Sequence, residues 1–190
     1  MIGFIGKRHS GKDTASDYLV NKYGYTKRAF AEPLKLGLKE LFGFTDEQLY
    51  TNKKEEIDDV WGISPRVACQ VIGNDIVRDL FPKMLLPNIG MDFWIKRADI
   101  WYENNKKEHN NKIVWSDVRY QNEVDYILSK GGLVVKIVRP KMDNNDNVDE
   151  HCSETSLDII DNYGEYIIND KLTDFYIDID NLHNHIDLDK

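Results

Sequence analysis

The stretch Ile2-Gly3-Phe4-Ile5-Gly6-Lys7-Arg8-His9-Ser10-Gly11-Lys12-Asp13-Thr14 decides how this chain is read. Met1 to Ile5 is an uninterrupted apolar run, the composition of a strand covered on both faces. Gly6 and Gly11 then bracket four residues, and Lys12 follows. This is the Gly-x-x-x-x-Gly-Lys spacing in which backbone N–H groups turn inward around a phosphate and the lysine reaches its β/γ oxygens. From Ser10 to Tyr23, Ala15, Tyr18, Leu19 and Tyr23 fall on one side of a helix. A helix opening at the end of such a loop adds the positive end of its dipole to the anion site. Strand, glycine loop and helix in this order predict a phosphate site at the carboxyl end of a parallel strand.

Within the loop, Ser10 and the cations Lys7 and Arg8 lie beside the expected phosphates, with solvated surface charge as the alternative reading of the two cations. The position after the lysine usually offers a hydroxyl to Mg²⁺, and here it holds Asp13 with Thr14 next. A carboxylate can ligate a hard cation directly or through water. It also suits the first turn of a helix, where the dipole favours acids. Both readings of Asp13 stand at this point.

Outward from the loop, strand-like and helix-like segments alternate. Lys27 to Ala31 reads as a short strand, and Pro33 opens a helix carrying Leu34, Leu38, Leu41 and Phe42. Ser64-Pro65 supplies an N-cap and a first-turn proline for a long helix to about Phe81, and Asp92 to Asn104 reads as another. Ile113 to Ser116, a helix through Leu128, the Gly131-Gly132 stop and Leu133 to Val138 make a βαβ unit. Residues 141–153 are polar and read as a mobile loop, followed by the strand Tyr166-Ile167-Ile168, a turn at Asn169-Asp170 and a closing helix to about Ile186. The alternation predicts an α/β fold with a parallel sheet.

The totals narrow the function. The 190 residues, 41% hydrophobic, can bury the core of one domain. Net charge is -8, yet residues 1–40 hold eight Lys/Arg against four Asp/Glu, while residues 141–190 hold three against fourteen. An acidic chain repels polymeric nucleic acid, but a local basic pocket can take one small polyphosphate. No apolar run approaches the roughly 20 residues of a membrane span, so a cytoplasmic protein without a membrane partner is expected. Cys69 and Cys152 have neither disulfide-framework nor zinc-site spacing.

Two further segments carry candidate chemistry. In "SPRVACQVIGNDIVRDLF", residues 64–81, the polar residues Arg66, Gln70, Asn74 and Arg78 recur at i, i+4 spacing, while Val67, Val71, Ile72, Ile76 and Leu80 make the expected buried stripe. Guanidinium groups fork onto a phosphate, and an amide reads the edge of a base. In "VWSDVRYQNE", residues 114–123, Asp117 and Arg119 lie at the carboxyl end of a strand, two residues apart and so on one side. There Asp117 would order a magnesium water or take a hydroxyl proton, and Arg119 would hold an acceptor phosphate; a structural ion pair is the alternative. Arg139, at the end of the next strand, is placed to stabilise charge on a transferring phosphoryl group. "HCSE", residues 151–154, is read as a loop end with Ser153 as a helix cap. Trp94 is retained as a base-stacking candidate.

With the loop, "AFAEPLK" (29–35), "SPRVACQVIGNDIVRDLF", "DFW" and "SDVRYQNEVDYILSKGG" in this order, the sequence resembles the deoxynucleoside monophosphate kinases of viruses and phages over nearly its whole length. The resemblance implies a three-layer α/β/α P-loop kinase fold in a single domain. Its core would be residues 1–31 and 112–190, with an acceptor-binding helical region at about 32–111 and a lid at about 139–155. It implies transfer of the ATP γ-phosphate to a small deoxynucleoside monophosphate with Mg²⁺, in the host cytoplasm for a viral protein, with a homodimer left open. By the same resemblance, Gly6 to Thr14 would cradle ATP and Asp13, Thr14 or Asp117 would hold the metal. Lys35, Arg66, Gln70, Asn74, Arg78, Trp94 and Arg119 would bind the acceptor, and Lys12, Asp117, Arg119 and Arg139 would act in catalysis. Animal-type phosphomevalonate kinases look similar in the loop, in "SD-x-R" and in "YIIND", so the loop does not choose between the two; the Arg66, Gln70, Arg78 and Trp94 segment resembles the nucleotide kinases. Residues 141–155 contain Lys141 but no arginine, unlike the usual lid of that family.

Overall fold

The computed structural model describes residues 1–140, 160 and 163–188. In chain order the elements are β1 (Ile2–Ile5), α1 (Lys12–Tyr23), β2 (Thr26–Arg28), α2 (Glu32–Phe42), α3 (Asp46–Tyr50), a 3₁₀ turn (Asn52–Glu55), α4 (Pro65–Gln70), a π-helical segment (Val71–Leu80), α5 (Phe81–Met84), α6 (Phe93–Asn105), β3 (Ile113–Trp115), α7 (Gln121–Ser129), β4 (Leu133–Val138), β5 (Glu165–Ile168) and α8 (Leu172–Leu188). They divide into two compact units, one of Met1–Ala29 with Glu103–Lys190 and one of Phe30–Tyr102. The lid expected at about 139–155, with Lys141 and the HCSE segment, lies outside the described residues beyond Pro140.

In the first unit, five strands form one sheet in the order β2-β3-β1-β4-β5. Every pairing is parallel, with Ile2 opposite Val114 on one side and Leu133 on the other. All four residues of β1 are buried, as its unbroken apolar composition requires. Ile2 and Phe4 face a core with Ala15 and Leu19 of α1 and Phe175 and Ile179 of α8. On the opposite face, a Cβ built at Gly3 would come 2.5 Å from Ile127 Cδ1 of α7. Helices therefore cover both faces, giving the three-layer α/β arrangement of a P-loop kinase-like fold. The Asp180 carboxylate of α8 accepts from Lys22 and Tyr23 at 2.7 Å and from Tyr18 at 3.2 Å, tying α8 to α1. The second strand, expected at Lys27–Ala31, spans Thr26–Arg28 because β3 offers it only three partners, Ile113 to Trp115.

The second unit is helical, with its own core of Leu34, Leu38, Phe44, Leu49, Val77 and Trp94 among others. Ser64 caps α4 as its sequence predicts, accepting from Val67 N at 3.3 Å. The expected single helix to Phe81 is instead α-helical only to Gln70 and π-helical from Val71 to Leu80. This corrects the expected buried stripe: Val67, Val71 and Leu80 are 43%, 42% and 41% exposed, whereas Gly73, Val77 and Arg78 are buried. In α4 the inward positions are Pro65 and Ala68. Beyond it, i→i+5 closure puts more residues in each turn, so a face counted at 3.6 per turn drifts out of register. Gly73 lets α2 approach, since a Cβ there would come 2.7 Å from Leu34 Cδ2.

Trp94 Nε1 donates to the Gly73 carbonyl at 3.0 Å, satisfying a buried acceptor inside this segment. Trp94→Phe keeps one aromatic ring but removes the pyrrole ring with its N–H donor, and is expected to cost about 2 kcal/mol or more. Urea unfolding checks this, and an unchanged midpoint would show that the carbonyl finds another partner.

Candidate functional site

β1 connects through α1 to β2 on one side of the sheet, while β5 lies on the other side of β4. The crevice at the carboxyl ends of β1 and β4 is thus a topological switch point, where ligands of open α/β sheets bind. The loop Gly6–Gly11 sits there. Its backbone takes positive φ at Gly6 (149°), His9 (61°) and Gly11 (114°). Ser10 N donates to Lys7 O at 3.2 Å and Ala15 N to Gly11 O at 2.9 Å, closing the loop onto α1. Lys12 Nζ donates to the loop's own carbonyls, Gly6 O at 2.6 Å and Lys7 O at 2.8 Å. The predicted lysine therefore arches back over the loop that precedes it.

Two side chains hold the loop from outside. Arg139, just after β4, donates from Nη1 to His9 O at 3.4 Å. Asn169, just after β5, donates from Nδ2 to Ser10 O at 2.8 Å. The structure thus brings Arg139 to the loop and adds Asn169, which the sequence suggested only as a turn residue.

The cradle fits a phosphate chain on two observations. Ser10 is 3% exposed, and its Oγ has no hydrogen-bond partner among the described residues. A buried hydroxyl left unmatched is costly, and this one belongs to the loop. Side chains are also excluded: a Cβ at Gly6 would clash with the Ile137 carbonyl, and one at Gly11 with Asn169 Nδ2.

Asp13 lies in the first turn of α1, with its side chain 79% exposed and 2.8 Å from Lys27 Nζ. Asp17, one turn later, bonds the same ammonium at 2.9 Å. Burial lowers the Lys27 pKa, but the bonds from the two carboxylates outweigh it and hold the value above the ordinary lysine one. Asp13 thus joins β2 to α1, a role the spacing did not signal. Lys27→Met leaves two like charges one turn apart and is expected to destabilise the protein by about 1 kcal/mol at low salt, because such pairs are screened. The loss should shrink in thermal melts at high salt, and a salt-independent loss would point to packing instead.

On the other side of β1, the turn after β3 carries Asp117 and Arg119, both half-buried. Ser116 N donates to Arg28 O at 3.0 Å. Glu123, 2% exposed, accepts from Arg119 N at 2.8 Å and Tyr120 N at 3.3 Å. This buried carboxylate fixes the backbone that presents Arg119. Its signal was an acidic residue in the first turn of the helix, the position of a capping box. Lys7 and Thr14 are exposed and Arg8 is half-buried.

Within the second unit, Lys35 Nζ lies 4.3 Å from the centroid of the Tyr50 ring, and Tyr50 donates to Glu32 at 2.8 Å. Burial pushes the Tyr50 phenol up, and its bond to Glu32 pushes it further. Arg66 pairs with Glu55 at 3.4 Å. Burial also raises the Cys69 thiol, against the pull of nearby Lys35, Lys54 and Arg66. Two expected acceptor residues therefore share a cationic neighbourhood with Lys54, which the sequence did not single out. Gln70 and Asn74 are half-buried. Arg78 is 5% exposed and Trp94 7%, and the Trp94 ring packs edge-on to Phe93 in the unit's core. The tryptophan kept as a stacking candidate is thus committed to packing. No helix among the described residues is long and apolar enough to cross a membrane.

Comparison with known proteins gives two matches. The profile of a family described as "Deoxynucleotide monophosphate kinase" matches residues 39–179. A protein of Acanthamoeba polyphaga mimivirus named "Putative deoxynucleotide monophosphate kinase" is 38% identical over 184 residues, covering 94% of this chain and 93% of its own length. The profile match begins beyond Gly6–Thr14, so the phosphate reading of that loop stands on its spacing and geometry.

Proposed function

Because this chain belongs to the deoxynucleotide monophosphate kinase family, a family of phosphotransferases, we propose that it transfers the γ-phosphoryl group of ATP in line to a deoxynucleoside monophosphate. The observation that carries the ATP half of this reading is the loop itself: a glycine cradle at a switch point, with the buried Ser10 hydroxyl unmatched inside it.

In this proposal Gly6 to Thr14 bind the polyphosphate through backbone N–H groups, with Lys7 and Arg8 adding positive charge. Lys12 leaves the Gly6 and Lys7 carbonyls for the β/γ oxygens, exchanging two neutral acceptors for an anionic one. Magnesium, when bound, neutralises charge on the phosphates; Thr14 and Asp117 are the donors proposed to hold it, and Asp13 joins them if it releases Lys27. Arg139 stabilises charge on the transferring group with the part of its guanidinium not bonded to His9 O, or on releasing it. Arg119 holds the acceptor phosphate on a backbone fixed by Glu123, and Asp117 orients the acceptor or a metal-bound water. Lys35, Arg66, Gln70, Asn74 and Arg78 are proposed to recognise the acceptor. Positioning and charge neutralisation do most of the work, because phosphoryl transfer asks little covalent chemistry of the protein.

The test is ADP release in a coupled assay with ATP and Mg²⁺, run separately with dTMP, dGMP, dCMP, dAMP, their ribose counterparts and 5-phosphomevalonate. Acceptor-dependent turnover with at least one deoxynucleotide is expected. Silence with every nucleotide, or turnover with phosphomevalonate alone, would overturn the proposal.

A further inference from the structure

We infer that Asn169 is a positioning residue of the phosphate loop, which turns the Gly11 N–H into the cradle by holding the Ser10 carbonyl out of it. The inference rests on the ATP-binding reading of the loop given above.

The argument is one of peptide geometry. The peptide between Ser10 and Gly11 is planar and trans, so its C=O and N–H point in opposite directions. Asn169 Nδ2 donates to Ser10 O at 2.8 Å from outside the loop. Fixing the carbonyl there commits the Gly11 N–H to the opposite side, where the anion is expected. Without that donor, the Ser10 oxygen is free to rotate inward and present a partial negative charge to the phosphates.

Three observations show that Asn169 is built for this task. Its own backbone is fixed, because Asn169 N donates to Val138 O at 2.7 Å and so continues the β4–β5 ladder beyond the last residue of β5. Its side chain packs so closely on Gly11 that a Cβ at that position would collide with Nδ2. The same Cβ would meet Phe175 Cζ, a buried ring of α8, at 3.3 Å, so this side of the loop is walled by rigid groups. Arg139 acts in parallel on the preceding carbonyl, His9 O. Two consecutive loop carbonyls are therefore drawn outward from the ends of β4 and β5.

Asn169→Ala and Asn169→Leu test this in the full-length protein. Leu keeps the branched shape at Cγ, with somewhat more volume, and removes both hydrogen-bonding groups of the amide, so together with Ala it separates positioning from packing. In both variants the Kd for inorganic tripolyphosphate and the KM for ATP are expected to rise about tenfold, with the KM for the deoxynucleotide changed less than about twofold. The Gly11 amide-proton shift that tripolyphosphate induces in the wild type should be lost. Wild-type affinity and an intact Gly11 response in Asn169→Leu would overturn the inference. Tripolyphosphate binding through Gly11 in a wild type that phosphorylates no nucleotide would sink the kinase proposal and leave this inference standing. Deoxynucleotide turnover with an unaltered KM for ATP in both variants would do the reverse.

Discussion

Lys12→Ala is expected to lower kcat/KM about a thousandfold or more, the scale on which a preorganised charge at a developing anion acts. The fold should survive. The ammonium is bonded to Gly6 O and Lys7 O, and two such partly exposed bonds contribute little net stability, so the thermal midpoint should fall by no more than about 4 °C. Steady-state kinetics beside a melting curve separate the two effects. A variant within about tenfold of wild-type turnover would mean that phosphate binds elsewhere, since charge in this position is the main contribution the loop makes.

Gly6→Ala should damage fold and site together. At φ 149° an L side chain is strained whatever the space, and the added methyl meets the Ile137 carbonyl of β4 and, at 2.7 Å, Ser10 Oγ. Neither neighbour yields readily: the first is backbone in the middle of a parallel ladder, paired across to Ile167, and the second is packed inside the loop. Overpacking and backbone strain together are expected to cost about 3 kcal/mol, a midpoint about 6–12 °C lower for a chain of this size. ATP affinity should fall with it, because relief of the clash requires the loop to leave β4. A midpoint within about 2 °C of wild type would show that the loop is free to move away from β4, and the rigid cradle would have to be given up.

The loop was legible because its meaning is local. The spacing of Gly6, Gly11 and Lys12 is a property of consecutive residues, to which the structure adds the burial of Ser10 and the side chains that hold the loop. The parallel sheet was legible for a related reason: β1 and β3 are apolar on both faces and β4 is interrupted only by Lys136, and a sheet covered twice asks for that. The 64–81 segment was not legible. Its residues fit a 3.6-residue period well enough to predict one helix, but from Val71 the backbone closes i→i+5, and Gly73 and Val77 go inside while Val67, Val71 and Leu80 come out. Nothing in a hydrophobic pattern announces that change of pitch, which goes with the approach of Leu34 to Gly73.

The same division runs through the site. Amino-acid order sufficed to place the glycine loop after β1, Asp117 and Arg119 after a strand, and Arg139 at a strand end, because each lies within a few residues of the element that presents it. The partners of those groups came from outside their own segment: Asn169 reaches Ser10 across 159 positions, and Lys27 of β2 pairs with both Asp13 and Asp17 of α1. Glu123, only four residues from Arg119, is the local exception. Such distant pairings follow from sheet order, which sets β4 beside β1 and β5 beside β4, and from α1 packing along β2. Sheet order is settled by which apolar faces bury one another most completely, a property of the whole core that no short window of sequence contains.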